Sequence, residues 1–513
     1  MESLGDDGTF RAAVRTQDLK IPYESCLLER PLDPCTLVIV GASGDLTSRK
    51  LLPSLYNLYL KNALPDNFII VGCSRTEMKS EEFRVRMKEA VGPVGAFDRD
   101  ELEAFSSRLF YFPVQYEDPG SFKEFYRRLV ELEQTCNTGG NRLLYLAIPP
   151  DLYSGTVHSF GEAGFSTEHK DGTGWVRIVV EKPFGRDLES AVDLDRDLHA
   201  YFAEHQIFRI DHYLAKETVQ NILMFRFANS IFEPVWNRRY IERVSIIAAE
   251  TLGVEHRAGY YEQAGVLRDM FQNHMMQLLA LTAMDPPSAF EAERVRDEKA
   301  RVYRTLRPFP TERLWEYLTL GQYKSGFMDG KPVVGYREET GVDPRSLTPT
   351  FASMKVFLDN WRWQGVPFRL VSGKRMARKM TEINIFFKEV PHALFRRAVS
   401  GNIAANKLTL GIHPEEKISL TFQTKNPGAV VCLRSVDMEF NYHQGYSGPK
   451  LDAYEKVLLD CMIGDQTLFW RQDGVELCWG FLTPVINECE ICGDRARKLR
   501  FYEAGSAPLE DEE

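Results

Sequence analysis

The hydrophobic pattern of the first half of the chain alternates short apolar runs with longer amphipathic stretches. The runs are rich in β-branched residues and are apolar on both faces, and helix-length segments separate them. A parallel sheet that helices cover on both sides produces this pattern. The predicted strands are residues 35–40, 68–72, 108–114, 142–147 and 175–180. We therefore predict a doubly wound, Rossmann-like α/β domain over residues 35–210.

The second half of the chain has a different rhythm. Helical periodicity dominates residues 213–305, apart from one strand-like run at 244–250. Strict alternation of apolar and polar residues then recurs, which is typical of strands with one solvated or partner-covered face. The alternating segments are residues 354–359, 383–388, 407–412 and 417–422. We predict a larger α+β domain over residues 211–500 with a mainly antiparallel sheet.

The two ends of the chain are polar. Residues 1–34 are predicted to be a flexible N-terminal extension, and residues 501–513 an acidic tail that ends in L-E-D-E-E and is expected to be disordered. The N-terminus has neither the basic nor the apolar region of a signal peptide. No apolar run approaches the ~20 residues that span a bilayer. We expect a cytoplasmic protein with no membrane partner.

Composition narrows the function class. The formal net charge of −10 argues against a nucleic-acid partner, whose recognition needs a basic surface. An anionic small substrate stays possible, because a local basic cluster can form on an acidic protein. The 9 cysteines are scattered and odd in number, which is typical of a reducing compartment. Cys489 and Cys492 form a close pair, but there is no second pair to complete a zinc site, so we predict no metal.

A glycine-containing turn follows the first predicted strand directly. The sequence is G-A-S-G-D-L at residues 41–46, and a helix-forming segment comes next. Gly41 and Gly44 would let the backbone turn tightly and approach a pyrophosphate at the helix N-terminus. The alternative is an ordinary strand–turn–helix with Asp45 as the N-cap. The place of the turn after the first strand favours a nucleotide site.

The end of the second predicted strand bears on the choice of cofactor. The chain reads V-G-C-S-R-T, so that Arg75 stands where an NAD site usually has an acidic residue. An arginine there suits the 2′-phosphate of NADP. A plain surface arginine is the alternative.

Lys182 follows the fifth predicted strand, in E-K-P-F-G at residues 181–185. It is therefore expected at the carboxyl edge of the parallel sheet, where open α/β proteins bind ligands. A lysine there can contact both a substrate hydroxyl and the nicotinamide. A solvated turn lysine is an equally weighted alternative.

The densest polar cluster is R-I-D-H-Y-L-A-K-E at residues 209–217. If a helix begins here, His212 and Lys216 lie at i and i+4 on one face and can clamp a phosphate together with Tyr213. Asp211 points differently and could serve another partner. The alternative is a helix cap with a surface charge ladder; the density of functional side chains favours the site.

A strongly apolar helix predicted over residues 268–281 carries Asp269 and His274. A lone histidine on such a helix is more often a core residue. However, oxidation of an alcohol needs a base that is active near neutral pH, and histidine is the natural candidate. Its far ring nitrogen needs an orienting carboxylate, which Asp211 could supply.

Four of these motifs together closely resemble the glucose-6-phosphate dehydrogenase family: G-A-S-G-D-L at 41–46, E-K-P-F-G at 181–185, R-I-D-H-Y-L-A-K-E at 209–217 and R-D-M-F-Q-N-H at 268–274. They occur in colinear order over residues ~35 to ~490, with further matches in A-G-Y-Y-E at 258–262 and S-G-K-R-M-A-R-K at 372–379. The resemblance implies oxidation of C1 of glucose 6-phosphate to 6-phosphoglucono-1,5-lactone, with hydride transfer to NADP⁺ and NAD⁺ as a weaker alternative. It also implies a homodimer or homotetramer, with the second domain holding substrate and subunit contacts.

The resemblance assigns a role to each matching residue. His274 would take the C1 hydroxyl proton, Asp211 would hold its imidazole, and Lys182 would contact both sugar and cofactor. The other expected substrate ligands are His212, Tyr213 and Lys216 for the phosphate, Glu250 and Asp269 for the sugar hydroxyls, and the basic residues Lys374 and Lys379. The other expected cofactor ligands are Gly41, Ser43, Gly44, Asp45, Leu46 and Arg75, with the backbone of Gln115 and Tyr116.

Two positions and two rival functions stay open. Some relatives have glutamine where His413 aligns, and Lys425 is an unassigned candidate for a second NADP site that some members carry. One rival is a different sugar or polyol dehydrogenase, which the basic cluster at 212–216 argues against. The other is a non-catalytic NADP(H)-binding regulator, which the presence of both His274 and Lys182 argues against.

Overall fold

The computed structural model describes eight stretches of the chain. They are residues 31–92, 99–116, 118–168, 174–214, 216–391, 403–428, 432–441 and 450–508. The predictions for residues 1–30 and for the acidic end at 509–513 lie outside these stretches.

The first sheet is built from short strands that are almost wholly buried. Its strands are β1 (Cys35–Val40), β2 (Phe68–Ser74), β3 (Leu109–Pro113), β4 (Arg142–Leu146), β5 (Val176–Val180) and β6 (Ile207–Arg209). Among the described residues they form one parallel sheet in the order β3-β2-β1-β4-β5-β6. This is the strand order of doubly wound dinucleotide-binding domains, so the predicted fold of the first half is confirmed.

The strand order fixes where a ligand can bind. β1 pairs with β2 on one side and with β4 on the other. The strands from β1 to β3 therefore follow one another in one direction across the sheet, and the strands from β4 to β6 follow in the opposite direction. In open α/β sheets this switch point leaves a crevice at the carboxyl ends of the strands. The G-A-S-G turn and the residues after β5 and β6 all lie at that edge.

Helices cover the first sheet and connect it to the second. They are α1 (Leu52–Leu60), α2 (Ser80–Val91), α3 (Arg99–Ser107), α4 (Pro119–Cys136), α5 (Tyr153–Ala163), α6 (Leu188–His199), α7 (Glu217–Phe227), α8 (Ala258–Val266), α9 (Met276–Ala283), α10 (Ala292–Arg304), α11 (Leu314–Tyr317), α12 (Ala453–Ile463), α13 (Gln472–Ile491) and α14 (Arg495–Lys498). Two segments wind as π-helix, Thr47–Leu51 before α1 and Leu267–Met275 between α8 and α9. Short 3₁₀ turns connect several of these elements.

The second sheet is larger and of mixed direction. Its strands are β7 (Ile241–Ala249), β8 (Leu318–Lys324), β11 (Phe351–Val356), β12 (Phe368–Gly373), β13 (Met380–Phe387), β14 (Lys407–His413), β15 (Lys417–Lys425), β16 (Leu433–Asn441) and β17 (Arg500–Glu503), and a small hairpin joins β9 (Gly326–Met328) to β10 (Lys331–Val333). In the part of the chain that the structure describes, the order is β16-β15-β14-β13-β7-β12-β11-β8-β17.

Most pairs of this second sheet are antiparallel, as predicted, but β12 runs parallel to β7 and β17 parallel to β8. The alternating segments of the sequence correspond to β11, β13, β14 and β15. The pattern did not single out β8, β12, β16 or β17. β17 begins at residue 500 and ends at 503, across the predicted start of the tail.

The two sheets are connected by a continuous core. Val38 of the first sheet and Ile246 of the second belong to one cluster of buried side chains, together with Phe271 of the π-helical segment. The chain also returns to the first sheet near its end, because Leu458 of α12 packs in the same cluster as Leu37. No helix among the described residues is both long and apolar enough to cross a membrane.

Candidate active site

The candidate site forms where the carboxyl ends of β5 and β6 meet the π-helical segment Leu267–Met275. Lys182 follows β5 by two residues, and Asp211 follows β6 by two. His274 lies on the π-helical segment, which is buried along most of its length. Residues from both halves of the chain therefore converge on one point.

His274 and Asp211 form a buried hydrogen-bonded pair. The Nδ1 atom of His274 lies 2.8 Å from Oδ1 of Asp211. The two residues are only 1% and 3% exposed. The backbone N–H of Tyr213 donates to the same Oδ1 at 2.9 Å and fixes the carboxylate from the other side. This is the arrangement of a histidine base held by an acid.

Electrostatics fixes the protonation state of the pair. Burial lowers the pKa of the His274 imidazole, and this effect outweighs the Asp211 carboxylate, which raises it. Burial raises the pKa of Asp211, but the charge and hydrogen bond of His274 outweigh burial and bring the pKa to about 2. At neutral pH the pair therefore consists of a neutral imidazole and a carboxylate, which is the state that can accept a proton.

Lys182 lies on the opposite side of the imidazole. Its Nζ atom is 2.9 Å from Nε2 of His274, 3.3 Å from the carbonyl oxygen of Asp269 and 3.5 Å from its Oδ1. Because Nδ1 of His274 faces Asp211, Nε2 carries the lone pair that the lysine approaches. Nε2 is thus the nitrogen that is directed into the site.

A second group of charges surrounds Asp269. Lys374 contacts Glu250, with Nζ 2.5 Å from Oε2, and lies 3.9 Å from Oδ2 of Asp269. The hydroxyl of Tyr260 donates to Oδ1 of Asp269 at 3.3 Å. Burial raises the pKa of Asp269, but Lys182 and Lys374 outweigh it and bring the pKa to about 2. This group offers alternating acceptors and donors to a polyhydroxy ligand.

The basic end of the site is less enclosed. Lys216 is half-buried with Nζ 4.3 Å from the ring centre of Tyr213, and that ring stacks on His274 at 4.0 Å. Burial and the nearby Lys379 charge both lower the pKa of Lys216. Burial and these same two lysines lower the pKa of His413. Converging cations of this kind favour a bound anion.

The helix that was considered for His212 and Lys216 is absent at that point. Residues 212–214 form a turn, and α7 begins at Glu217 with Lys216 as its N-cap. Asp211 accepts the N–H of Tyr213, and the carbonyl of Asp211 accepts the N–H of Leu214. Such side-chain bonds to the backbone compete with helix formation, so the i, i+4 interpretation is wrong.

His212 lies beside His274 and Tyr454. Its ring is 5.6 Å from the ring of His274 and stacks at 6.0 Å on Tyr454. Burial, followed by the charges of His274 and Lys182, lowers its pKa to about 3. His212 is therefore neutral at physiological pH and can offer an N–H donor rather than a positive charge.

The turn after β1 has the form that close approach of a ligand requires. Gly41 has φ +91°, and a Cβ atom at this position would lie 2.2 Å from the carbonyl oxygen of Ala147. The side chain of Thr47 donates to the carbonyl of Gly41 at 3.2 Å and closes the turn. Any residue other than glycine at position 41 would be both strained and sterically excluded.

Hydroxyl groups and an arginine surround this turn. Ser43 and Ser74 are joined by a 3.0 Å hydrogen bond, and Thr76 donates to Ser43 at 3.1 Å. The guanidinium of Arg75 is exposed and lies 5.4 Å from the ring centre of Tyr116. These groups lie together at the ends of β1 and β2, as expected for the adenosine end of a dinucleotide.

The contacts of the four other predicted cofactor residues, Gly44, Asp45, Leu46 and Gln115, are mostly local. Gly44 donates its N–H to the carbonyl of Gly41, and Leu46 packs on the core beneath the turn. Asp45 is exposed and pairs with Arg49 at 2.6 Å. The N–H of Gln115 donates to Ser121. All four lie near the turn, although the Gln115 N–H already has a partner.

Lys425, the two close cysteines and one group with metal-ligand spacing lie outside the principal site. Lys425 is exposed and donates to the carbonyls of Asn426 and Gly428. Cys489 is buried as a free thiol, and Cys492 is half-buried and free. Within the described stretches, the group with metal-ligand spacing is Asp195, His199 and Glu204, where the Arg209 guanidinium already pairs with both carboxylates.

The sequence interpretation missed two aromatic residues of the site. Tyr260 falls in A-G-Y-Y-E, but the motif itself does not indicate that its hydroxyl reaches Asp269. Tyr454, which stacks on His212, lies more than two hundred residues further along the chain. No local signal marks Tyr454, because only the return of α12 to the first sheet brings it there.

Comparison with known proteins gives a consistent result over both halves. The family model described as "Glucose-6-phosphate dehydrogenase, NAD binding domain" matches residues 38–221, and "Glucose-6-phosphate dehydrogenase, C-terminal domain" matches residues 223–512. The chain is 46% identical to the glucose-6-phosphate 1-dehydrogenase of Aggregatibacter actinomycetemcomitans, over 92% of this chain and 93% of the relative. It is 41% identical to that of Bacillus subtilis, over 88% and 90%.

Solved structures agree with the sequence matches. A glucose-6-phosphate dehydrogenase in complex with its substrate glucose-6-phosphate superposes with a TM-score of 0.85 at 32% identity, covering 94% of this chain and 96% of that one. A glucose-6-phosphate 1-dehydrogenase from Mycobacterium avium superposes with a TM-score of 0.77 at 31% identity, covering 93% and 96%.

Proposed function

The chain belongs to the glucose-6-phosphate dehydrogenase family, and on this premise we propose that it oxidises C1 of glucose 6-phosphate to 6-phosphoglucono-1,5-lactone with hydride transfer to NADP⁺. This is the first step of the oxidative pentose phosphate pathway. The observation that carries the proposal is the buried His274–Asp211 pair, with Lys182 on its Nε2 side, at the carboxyl edge of a dinucleotide-binding sheet.

His274 acts as the base. Its Nε2 lone pair accepts the proton of the C1 hydroxyl while Nδ1–H stays hydrogen-bonded to Asp211. The carboxylate stabilises the imidazolium that forms and keeps the ring in one tautomer. The nicotinamide, when bound, supplies the hydride acceptor, so the protein has to supply orientation and a proton acceptor.

Lys182 orients the reacting hydroxyl. Its ammonium lies between Nε2 of His274 and the backbone of Asp269, where a sugar hydroxyl would meet both. An ammonium beside the hydroxyl oxygen stabilises the negative charge that grows as the proton leaves. The neighbouring Asp269, Glu250 and Lys374 bind the other hydroxyls and set the position of the ring.

The 6-phosphate binds at the basic end. Lys216 and Lys379 supply positive charge, and His212 and Tyr213 supply neutral donors. A dianion relieves the repulsion between the two lysines, and this relief adds to the binding free energy. Anchoring the far end of the sugar orients C1 towards His274, which is the kind of positioning that lowers an activation barrier.

The cofactor fits the turn at Gly41. A pyrophosphate can approach the backbone there because no side chain intervenes and a helix begins at once. Arg75, with the hydroxyls of Ser43 and Thr76, forms a suitable contact for a 2′-phosphate, so we expect NADP⁺ to be preferred and NAD⁺ to be a weaker alternative.

Association into a homodimer or homotetramer is part of the proposal. β16 forms one edge of the second sheet in the described residues, with Met438 57% exposed and Phe440 38% exposed. Apolar side chains on an open edge strand favour burial against another subunit. We expect this assembly to work in the cytoplasm.

A spectrophotometric assay tests the proposal. Purified protein is offered glucose 6-phosphate with NADP⁺ or NAD⁺ separately, and reduction of the nicotinamide is followed by absorbance. We expect turnover with NADP⁺ and slower turnover with NAD⁺. No reduction with either cofactor would contradict the enzyme assignment and favour an NADP(H)-binding regulator.

The same assay with unphosphorylated glucose distinguishes the proposed enzyme from the remaining alternative, a different sugar or polyol dehydrogenase. Because Lys216 and Lys379 would have no anion to bind, we expect turnover of free glucose to be far slower at equal concentration. Comparable turnover of both sugars would identify a general sugar dehydrogenase instead.

A further inference from the structure

Lys299 is a buried lysine that has no direct role in the reaction proposed for the site. It lies on α10, is 3% exposed, and its Nζ has no hydrogen-bond partner among the described residues. Burying an ammonium without an acceptor is costly. The groups that surround Lys299 therefore decide what its charge can act on.

Trp470 lies between Lys299 and the catalytic pair. The ammonium is 5.9 Å from the ring centre of Trp470, and Tyr303 stacks on the same indole at 5.7 Å. The backbone N–H of Trp470 donates to the carbonyl of Arg209 at 3.1 Å, two residues before Asp211. Its ring N–H donates to Asn273, the residue before His274. Trp470 thus connects Lys299 to Arg209 and Asn273, which are close neighbours of Asp211 and His274 in the chain.

Asp211 is the anion that favours the charged form of Lys299. Burial and the nearby Arg296 on the same helix lower the pKa of Lys299 to about 7, and Asp211 acts in the opposite direction. The other groups that act on it are Arg471, at the start of α13, and Cys478 within that helix. Burial raises the pKa of the Cys478 thiol, so this thiol stays neutral.

The two oxygens of the Asp211 carboxylate have different surroundings. Its Oδ1 atom holds His274 and the N–H of Tyr213, while Oδ2 has no hydrogen-bond partner among the described residues. Charge acts over a gap in the protein interior without direct contact, because the effective dielectric constant there is low. A buried cation that acts on Asp211 opposes protonation of both Asp211 and His274.

We propose that Lys299 is a positioning residue for the reaction: a buried cation, packed over Trp470, that keeps the His274–Asp211 pair deprotonated and therefore competent as a base. This inference rests on the proposed function, because His274 has to be the proton acceptor. The cation acts through Asp211 and His274 and touches neither sugar nor cofactor.

The test compares the pH dependence of kcat/KM in variants of Lys299. Lys299→Met removes the charge with little change of shape, so the acid limb of the profile should move up by about half a pH unit to one unit, the effect of a nearby charge. KM for glucose 6-phosphate should stay within about two-fold, because the phosphate end is unchanged. Lys299→Arg keeps the charge and should restore the wild-type limb.

Two controls separate charge tuning from a structural role. Arg301→Met removes an exposed charge from the same helix, where Arg301 pairs with Glu298, and should leave the limb unmoved. In an Asp211→Asn background Lys299 loses the anion that favours its charged form, so adding Lys299→Met should produce no further shift. A purely structural lysine would cause the same loss in both backgrounds.

Each other outcome contradicts the assignment. An unmoved limb in a folded Lys299→Met protein would overturn it. If Lys299→Met does not fold, Lys299→Gln provides the same test, and failure of both neutral variants to fold would show that Lys299 serves the fold instead. Loss of all activity in the wild type would refute the proposed function, whereas an active wild type with an unmoved limb refutes only the role of Lys299.

Discussion

The two ends of the site are built in opposite ways. At the chemical end, His274 and Asp211 are almost completely buried and joined by a 2.8 Å hydrogen bond. At the phosphate end, Lys216 is half-buried, Lys379 is exposed, and the two cations approach each other. A base needs a fixed direction and a fixed protonation state, which burial supplies. A charged ligand brings the opposite charge. Its binding site can therefore be open to solvent, and the two lysines can repel each other until the ligand binds.

The largest effect should come from the chemical end. His274→Asn removes the proton acceptor but keeps a polar side chain of similar size, and kcat should fall by about 10²–10⁴, the usual value of a general base. KM for glucose 6-phosphate should change little, because the phosphate end is intact. Steady-state kinetics measure both, with His158→Asn, an exposed histidine on α5, as the matched control. A rise in KM with kcat preserved would assign His274 to binding.

A substitution at the phosphate end should have the opposite effect: KM should change and kcat should not. Lys216→Ala leaves Lys379 alone with the dianion, and we expect KM for glucose 6-phosphate to rise by about ten- to a hundred-fold, the value of one hydrogen bond to a charged group at about 1.5–3 kcal/mol. At saturating sugar, kcat should stay within a few-fold. Lys50→Ala, which removes an exposed lysine near the first helix, is the control. An unchanged KM would refute the phosphate assignment.

The sequence predicts well the buried strands that position this site. The strands of the first sheet are apolar on both faces and end in residues with an evident chemical use, such as Gly41, Lys182 and Asp211. The pairing of Asp211 with His274 was expected because a histidine base needs a carboxylate. These features follow from local pattern and from elementary chemistry.

Other features depend on tertiary structure and left no local signal. Lys216 is placed by a turn that the Asp211 side chain stabilises, where the sequence pattern favoured a helix. The parallel pairing of β12 with β7 is invisible in a hydrophobic pattern, which does not encode strand direction. Tyr454 of α12 stacks on His212, and Lys299 of α10 packs against Trp470; only the packed structure shows these contacts.

A smaller change in KM is expected from a substitution at the cofactor turn. This turn resembles the phosphate end because its charged residue is exposed. Arg75→Gln removes the positive charge for the 2′-phosphate, so KM for NADP⁺ should rise by about ten-fold, as for loss of one charge-assisted hydrogen bond. KM for NAD⁺, which lacks that phosphate, should be unaffected. Equal changes for both cofactors would show that Arg75 does not recognise the 2′-phosphate.

The smallest effect is the pH dependence of the wild type between pH 6.5 and pH 8. A base works in its neutral form, and burial lowers the pKa of His274 below its ordinary value of 6.5. Activity is therefore lost only as pH falls through a pKa below 6.5, and kcat/KM should change by less than about two-fold over this interval from this group. A limb centred above pH 7 would show that the imidazole is not held neutral by burial.

Binding measured apart from turnover tests the division between the two ends most directly. Glucose 6-phosphate is titrated calorimetrically into His274→Asn and into Lys216→Ala, with the wild type alongside. We expect near wild-type affinity for the inactive His274→Asn protein and affinity weakened by about ten-fold or more for Lys216→Ala. Loss of affinity in His274→Asn, with affinity retained in Lys216→Ala, would contradict this expectation.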